Sequence, residues 1–537
     1  MTEYAFKRKR ILIVCREEYS RVFYFVAKKL MDDNKIALYY VKPSETKFNK
    51  NPSNATSYYY IKDQLSVPVY TTNNAADEFT HSLKDNKIID EEYLNLIEER
   101  YCHFLNIGAQ LVCSQVITRH YHYRYFWKYV SDIEQLNWLI LNYKNTEKIL
   151  DEFEPDVILS CDNEELGHCA LREVCYYKNI PFICVDYPKY DIYKTFSYNL
   201  GLHVNRYLEK GYENNKSKDD DYLKEEMNFI SDFREKEKIM HEMFKNDFEG
   251  TTQYKPDSLW KSFKIFYHLC RLLYNQDIIA KNDIIKKSNP VIYPSSWGYI
   301  KYFVNLLVRK QILMRRNNYF NLPVEGEKYV YMPLHLIPEA TTFTLSPFYV
   351  NELTIIEAVS KSLPAGWKLY VKEHQAMVGE RSIEFYKKVN RLPNVKMVQM
   401  NYYKDPKPWI VKSQGVITIS GTTAYEAAVL GKHSIVFSDV PFSMIEGVER
   451  VRSYEDLPNA IREFRKPLHN EHSCAAYIKT IKEFGMPVDL IYLVRYSSKY
   501  LKDPNYKDSE FDKSLNNLID LFLKGYNLYC TNNEDCE

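Results

Sequence analysis

Glycine is scarce in this chain, 15 residues in 537. The glycine-rich phosphate signatures are missing: there is neither a G-x-x-x-x-G-K-[ST] loop nor a G-x-G-x-x-G turn. The first absence excludes a P-loop nucleotide-binding protein, and the second argues against a dinucleotide enzyme. H-E-x-x-H and G-x-S-x-G are also lacking, so neither a helical zinc protease nor a nucleophile-elbow hydrolase is expected. The eleven cysteines contain no C-x-x-C pair. Cys161 and Cys184 lie in apolar, strand-like runs, and they read as reduced buried thiols rather than as disulfides or zinc ligands. Charge of one sign is lacking too. The formal net charge is +1, so no global field recruits nucleic acid, and any anion must be held by local groups. The first apolar run, residues 11–15, is too short for a signal core or a membrane span, and no later uncharged run reaches that length. A soluble, cytoplasmic protein is expected.

What is present is a globular balance, 45% hydrophobic and 27% charged, over a length that calls for two or more domains. Residues 11–15 and 36–41 read as strands flanking a helix at 20–31. A polar and aromatic stretch, about 45–150, interrupts this rhythm with helical patterns at 90–101 and 133–150. Strand, helix and strand resume at 156–161, 167–178 and 180–186. Residues 206–325 read as a charged helical region. Within it, 299–316 forms an amphipathic basic helix, suited either to packing with its basic side in water or to lying on an anionic membrane face. The clearest alternation comes later, with strands at 329–334, 367–372, 395–398, 415–420 and 434–437 separated by helices. The expected fold is α/β: a Rossmann-like domain over 1–205 with a helical insertion, a second doubly wound domain over 326–465, and a helical tail over 466–537.

In open parallel sheets, ligands bind beyond the carboxyl ends of the strands, and four such ends carry polar residues. Ser420-Gly-Thr-Thr-Ala-Tyr-Glu426 joins a strand to a helix. Gly421 permits a tight turn, Thr422 and Thr423 offer hydroxyls and amides to a phosphate, and Glu426 suits the two hydroxyls of a ribose. The plainer reading makes one threonine a helix cap and Glu426 the partner in a capping box. Lys372 and His374 end a second strand as a cation and a hydrogen-bond donor. His335 and Glu339, in the loop after the strand at 329–334, are candidate base- or sugar-binding groups. In the first domain Asp162, Glu164 and Glu165 follow a strand, and one of them would deprotonate an acceptor hydroxyl or attack an anomeric carbon. Acidic capping of the next helix is their alternative. The Asp and His spacing shows no metal cluster, so no metal site is expected, nor any cofactor.

Three stretches in order, Tyr331-Met-Pro-Leu-His-Leu-Ile-Pro-Glu-Ala-Thr-Thr342, Leu363-Pro-Ala-Gly-Trp-Lys-Leu-Tyr-Val-Lys-Glu-His374 and Ile419-Ser-Gly-Thr-Thr-Ala-Tyr-Glu-Ala427 followed by Gly431-Lys432, resemble the bacterial capsule polysaccharide biosynthesis proteins, a family that includes Kdo transferases. The resemblance covers 329–442 well and the first half in outline. It implies the GT-B fold, two Rossmann-like domains facing a cleft. A nucleotide-sugar donor (CMP-Kdo or a related CMP-sugar) would sit mainly on the second domain, and a surface polysaccharide or glycolipid acceptor on the first. Two departures stand out: His374-Gln375 where related transferases carry His-Pro, and Ile337 where members often have Gln. The expected activity is metal-independent sugar transfer, with peripheral contact at the inner membrane face. A nucleotide-sugar epimerase, a CDP-polyol phosphotransferase or a noncatalytic assembly component are the alternatives.

Overall fold

The computed structural model describes residues 6–16, 19–42, 61, 64–72, 89–113, 132–161, 166–198, 205–239, 258–280, 296–315, 319–337, 339–400, 402–403, 405–503 and 505–532. The first lobe begins with β1 (Arg10–Arg16), α1 (Tyr19–Leu30), β2 (Lys35–Lys42) and β3 (Val69–Thr71). It continues through α2 (Glu91–Tyr101), α3 (Ile107–Cys113), α4 (Asp132–Phe153), β4 (Val157–Ser160), α5 (Leu166–Tyr177), β5 (Phe182–Asp186) and β6 (Tyr193–Ser197). Strands β3, β2, β1, β4 and β5 lie side by side in that order, all parallel, and β6 closes the edge antiparallel to β5. The β1 sequence is apolar without alternation because helices cover both faces of its sheet. Ile11, Ile13 and Cys15 point into one buried layer, and Leu12 and Val14 into the other.

Helices α6 (Arg206–Lys216), α7 (Lys224–Glu235), α8 (Leu259–Ala280) and α9 (Ser296–Arg315) lead to the second lobe. There β7 (Tyr329–Pro333), α10 (Ala340–Phe343), α11 (Glu352–Ser362), β8 (Lys368–Lys372), α12 (Ile383–Arg391) and β9 (Val395–Val398) alternate. They are followed by α13 (Lys407–Val411), β10 (Gly415–Thr418), α14 (Thr422–Val429), β11 (Ser434–Val436), β12 (Val448–Arg450) and α15 (Leu457–Glu463). The sheet order is β12-β11-β10-β7-β8-β9, parallel throughout. Counted from its own first strand this is 3-2-1-4-5-6 read from one edge, the doubly wound order. The first lobe repeats its 3-2-1-4-5 part, so the protein has two Rossmann-like halves. The order reverses between β7 and β10 in the second lobe and between β1 and β4 in the first, which are the places where such sheets open a crevice.

The remaining elements are α16 (Glu471–Phe484), β13 (Met486–Pro487), α17 (Leu490–Lys502) and α18 (Ser509–Asn532). The structure folds this stretch, read from sequence as a tail, back onto the first lobe. Strand β13 pairs with β6, and Leu515, Leu518 and Phe522 of α18 share a buried layer with Ile11 and Ile13. The approach is close at Gly525, where a Cβ would stand 3.0 Å from Ile183 of β5. Helix α16 in turn packs on α6 and α7 and shares a core with Ala424 and Tyr425 of α14. The chain thus crosses between the lobes more than once, as it must if their facing ends are to be held in register.

Candidate functional site between the lobes

The loops at the carboxyl ends of the two sheets meet. Tyr477 of α16 donates from its hydroxyl to the carbonyl of Pro188, just past β5, at 2.7 Å. Tyr190 of the same loop lies in one cluster with Ala424 and Tyr425. On the other flank Cys113 of α3 contacts the carbonyl of Phe343 at 3.4 Å. The ends of β5, β7, β8, β10 and β11 therefore surround one interlobe space.

At its floor Gly421 is the N-cap of α14, with extended backbone (φ −73°, ψ 148°), and among the described residues no side chain caps the helix. This removes the capping-box reading: Thr422 and Thr423 are the first two helical residues, and their amides point out of the helix start. Ser420 is 5% exposed, and its buried Oγ has no hydrogen-bond partner among the described residues, an arrangement that costs free energy unless something binds there. Gly421 is required by its neighbours, since a Cβ there would stand 2.5 Å from Thr418 Oγ1 and 3.3 Å from His335 Cε1. The turn is thus wedged against the end of β7 at the strand-order reversal.

His335, expected as a base- or sugar-binding group, has one ring nitrogen committed to the protein itself. Its Nε2 accepts the Ile419 amide at 3.1 Å and lies 2.9 Å from Thr418 Oγ1. That oxygen itself accepts the Gly421 amide at 3.2 Å. The accepting Nε2 puts the proton on Nδ1, and burial, aided by His374, Arg381 and Lys189, holds the ring neutral with a pKa of about 3. His335 pins the turn in place. His374 also stays neutral, near 4, through burial and the cations Arg381 and Lys372. Its Nδ1 accepts the Ala376 amide at 3.3 Å, which leaves Nε2–H as a donor.

Both histidines rest on a buried ion cluster that the sequence reading missed. Arg381 and its two carboxylate partners, Glu352 and Glu373, are fully enclosed. Glu352 accepts the His335 amide at 2.7 Å, and Glu373 accepts the His374 amide at 2.7 Å and the Tyr386 hydroxyl at 2.5 Å. Arg381 also donates to the His335 carbonyl at 2.8 Å. One guanidinium therefore fixes the ends of β7 and β8 together.

Lys372, Glu426 and two residues not singled out from sequence, Lys189 and Asp405, complete the floor. All four side chains remain partly open to solvent, yet protein around Lys372, Glu426 and Lys189 strips much of their hydration, as at the bottom of a cleft. Burial, helped by Asp405 and opposed by Lys189 and Lys372, lifts Glu426 to about 7. Burial draws Lys372 down to about 8 against the pull of Asp405 and Glu426. Lys189 belongs to the opposite lobe. Burial lowers its pKa, while Glu339, Asp186 and Glu426 raise it. Its backbone is left-handed, φ 70°, unusual for a residue with a side chain. Asp405 accepts the amides of Ile239 and Lys407 at 3.0 and 2.8 Å.

The structure thus brings His335, Glu339, Lys372, His374, Ser420, Gly421, Thr422, Thr423 and Glu426 around one cleft. The catalytic candidates Asp162, Glu164 and Glu165 lie outside the described residues. Among the described residues no group of three His, Cys, Asp or Glu side chains is arranged to hold a metal ion, and no helix is long and apolar enough to cross a membrane. An open depression of about 440 Å³, lined by Lys328, Trp367, Gln414 and Arg465 among others, lies at the amino ends of β7, β8 and β10, away from this chemistry.

No family model matches the chain, and no curated protein matches it in sequence. Solved structures with a similar course include the β-Kdo 2,7 transferase KpsC of Thermosulfurimonas dismutans, 11% identical over 71% of this chain and 90% of that one, TM-score 0.28. A UDP-GlcNAc 2-epimerase from Methanocaldococcus jannaschii is 12% identical over 88% and 99%, TM-score 0.23. The wall teichoic acid polymerase TagF is 15% identical over 36% and 49%, TM-score 0.20. Likenesses of this size assign neither a family nor an activity. The fold class is GT-B-like because the two sheets and their facing carboxyl ends make it so.

Proposed function

We propose that the chain is a glycosyltransferase that binds a nucleotide-activated sugar in the interlobe cleft and passes the sugar to a hydroxyl of a polysaccharide or glycolipid acceptor. The observation that carries this reading is the start of α14, uncapped among the described residues, with the Ser420 hydroxyl beside it, which finds no partner among them either, and Lys372, His374 and Lys189 around it. Outward amides at a helix start, a neutral imidazole donor and two partly desolvated ammonium groups suit a diphosphate or a phosphodiester. Glu426, protonated for much of the time near neutrality, would hold ribose hydroxyls. Sugar transfer produces a nucleotide anion, and the same groups would stabilise that charge as it develops. Asp162, Glu164 or Glu165 is proposed to take the acceptor proton or to attack the anomeric carbon.

A nucleotide-release assay over CMP-, UDP-, GDP- and CDP-linked donors tests this. Release is expected with one donor, to depend on an acceptor, and to fall about tenfold or more in Glu426→Ala through loss of hydrogen bonds to the ribose. Acceptor-independent release together with an altered free sugar would make the protein an epimerase. No release, and no thermal stabilisation by any donor, would reduce it to a noncatalytic component.

The titrations add a pH dependence. Glu426 gains a negative charge as pH rises through about 7, and Lys372 loses a positive one through about 8. Both changes oppose an anionic ligand. Affinity for the donor, whose phosphates do not titrate in this range, is expected to weaken roughly tenfold between about pH 6 and about pH 9. Glu426→Gln should abolish the step near 7 and leave the one near 8, read by calorimetry across pH. A flat profile in the wild type would remove both residues from the ligand's surroundings.

A further inference from the structure

Between the two lobes the charge is far from balanced. Residues 258–316 hold eleven Lys and Arg against two Asp and no Glu, although the whole chain is only +1, so the remainder is net negative. Helices α8 and α9 occupy the ends of this segment and pack on each other, with Gln311 donating to Ser262 at 3.3 Å. Helix α9 is seated on the second lobe. Tyr302 donates its hydroxyl to Glu380, Leu313 is buried in the lobe's core, and the backbone at Leu306 closes on Gly379.

The faces turned the other way carry exposed side chains among the described residues. On α8, Trp260, Phe263 and Tyr267 are 66%, 58% and 58% exposed, and Trp260 and Phe263 stack at 5.9 Å. Exposed Lys264 and Arg271 continue the same stripe at helical spacing, with Lys264 Nζ 5.6 Å from the Trp260 ring centre and Lys261 and Leu259 alongside. On α9 the outer stripe is Lys301, Val304, Val308 and Arg315, all exposed, with Val308 at 52%. A soluble surface seldom leaves aromatic rings in a row. A helix that rests in a lipid interface combines these features, with Trp and other apolar side chains entering the headgroup boundary and Lys and Arg meeting anionic lipid.

We propose that α8 and α9 form a docking surface for an anionic lipid bilayer, so that the protein works at a membrane face. Charge decides for lipid over a second copy of the chain: two such faces, each strongly basic, would repel one another. Aliphatic Leu259 on α8, and Val304 and Val308 on the outer stripe of α9, suit acyl chains, which need no stacking partner. The surface lies outside the interlobe site, and its argument is independent of the proposed transfer reaction.

The test is co-sedimentation of the full chain with vesicles of phosphatidylcholine alone and of phosphatidylcholine with one third phosphatidylglycerol. Binding is expected only with the anionic vesicles and should weaken as salt rises. Lys261→Glu/Lys264→Glu/Arg271→Glu should lower the bound fraction constant roughly a hundredfold. Trp260→Ser/Phe263→Ser/Tyr267→Ser should lower it comparably at unchanged charge. All six positions are exposed, and an unchanged melting temperature in each variant would show that the fold persists. Absent or composition-independent vesicle binding overturns the proposal, as does wild-type binding by both variants. So does a wild-type dimer that the serine variant converts to monomer, which would make the face a self-association surface.

Discussion

Arg381→Ala is expected to cost about 3–5 kcal/mol of folding free energy, the amount typical of removing one partner from a buried ion cluster. Two enclosed carboxylates, Glu352 and Glu373, would be left without their cation, and burial already lifts the Glu352 pKa against the pull of Arg381. For a domain of roughly 150–250 residues each kcal/mol moves the melting temperature by about 2–4 °C. Arg381→Lys keeps the charge but not the fork of donors that reaches both carboxylates and the His335 carbonyl, so an intermediate loss is expected. The structural role also has a ligand-side consequence. Freed from Glu352 and Glu373, the ends of β7 and β8 would no longer hold His335 under the turn at Gly421. Donor binding in Arg381→Lys should therefore weaken at temperatures well below its unfolding transition. Melting curves with and without donor separate the two effects. An Arg381→Ala protein as stable as wild type would show that the cluster contributes no net stability.

Much of the second lobe could be read from its residues because parallel strands covered on both faces appear as apolar runs, and helices of ordinary length separate them. The strands at 329–334, 367–372, 395–398, 415–420 and 434–437 appear as β7 to β11 with ends moved by a residue or two. Strand β12 was not legible: it is three residues long at a sheet edge, and Glu449 sits at its centre. Strands β6 and β13 escaped for a different reason. Tyr193–Ser197 is half polar, and its partner Met486–Pro487 is two residues long and nearly three hundred positions away, a pairing that no local pattern announces.

The cleft divides in the same way. Lys372, His374 and the 420–426 turn stand directly beyond strand ends, where the topology rule points. Arg381 looks like any charged residue before a helix until its burial is seen. Lys189 and Asp405 matter only because folding carries them to Glu426, Lys189 from the other lobe and Asp405 from beyond β9. His335 was expected at a ligand, and the structure adds a bond that its sequence position did not announce, from the Ile419 amide to its Nε2. Chemistry-bearing residue types near strand ends were readable, but their partners were not.

Lys189 is the residue for which turnover and stability should separate most clearly. It holds a left-handed backbone, φ 70°, a conformation that costs a non-glycine residue on the order of 1 kcal/mol or more. Glycine would adopt it without that penalty. A lysine kept there, lowered in pKa by burial and placed among Glu339, Asp186 and Glu426, serves the interlobe space better than it serves folding. If it meets charge that develops on the departing phosphate, its loss should cost about 10²–10³ in kcat, as for other donors aimed at a forming anion. Lys189→Gly is then expected to leave the melting temperature unchanged or raised while kcat falls by that factor. Lys189→Arg should restore part of the rate, because a cation returns at the same place. KM need move little, since the ground-state donor retains the amides of Thr422 and Thr423 and the Lys372 ammonium. The reading fails if Lys189→Gly unfolds with full specific activity in its folded fraction. That result would make the lysine a strut between the lobes and leave Lys372 as the cation that meets the leaving group.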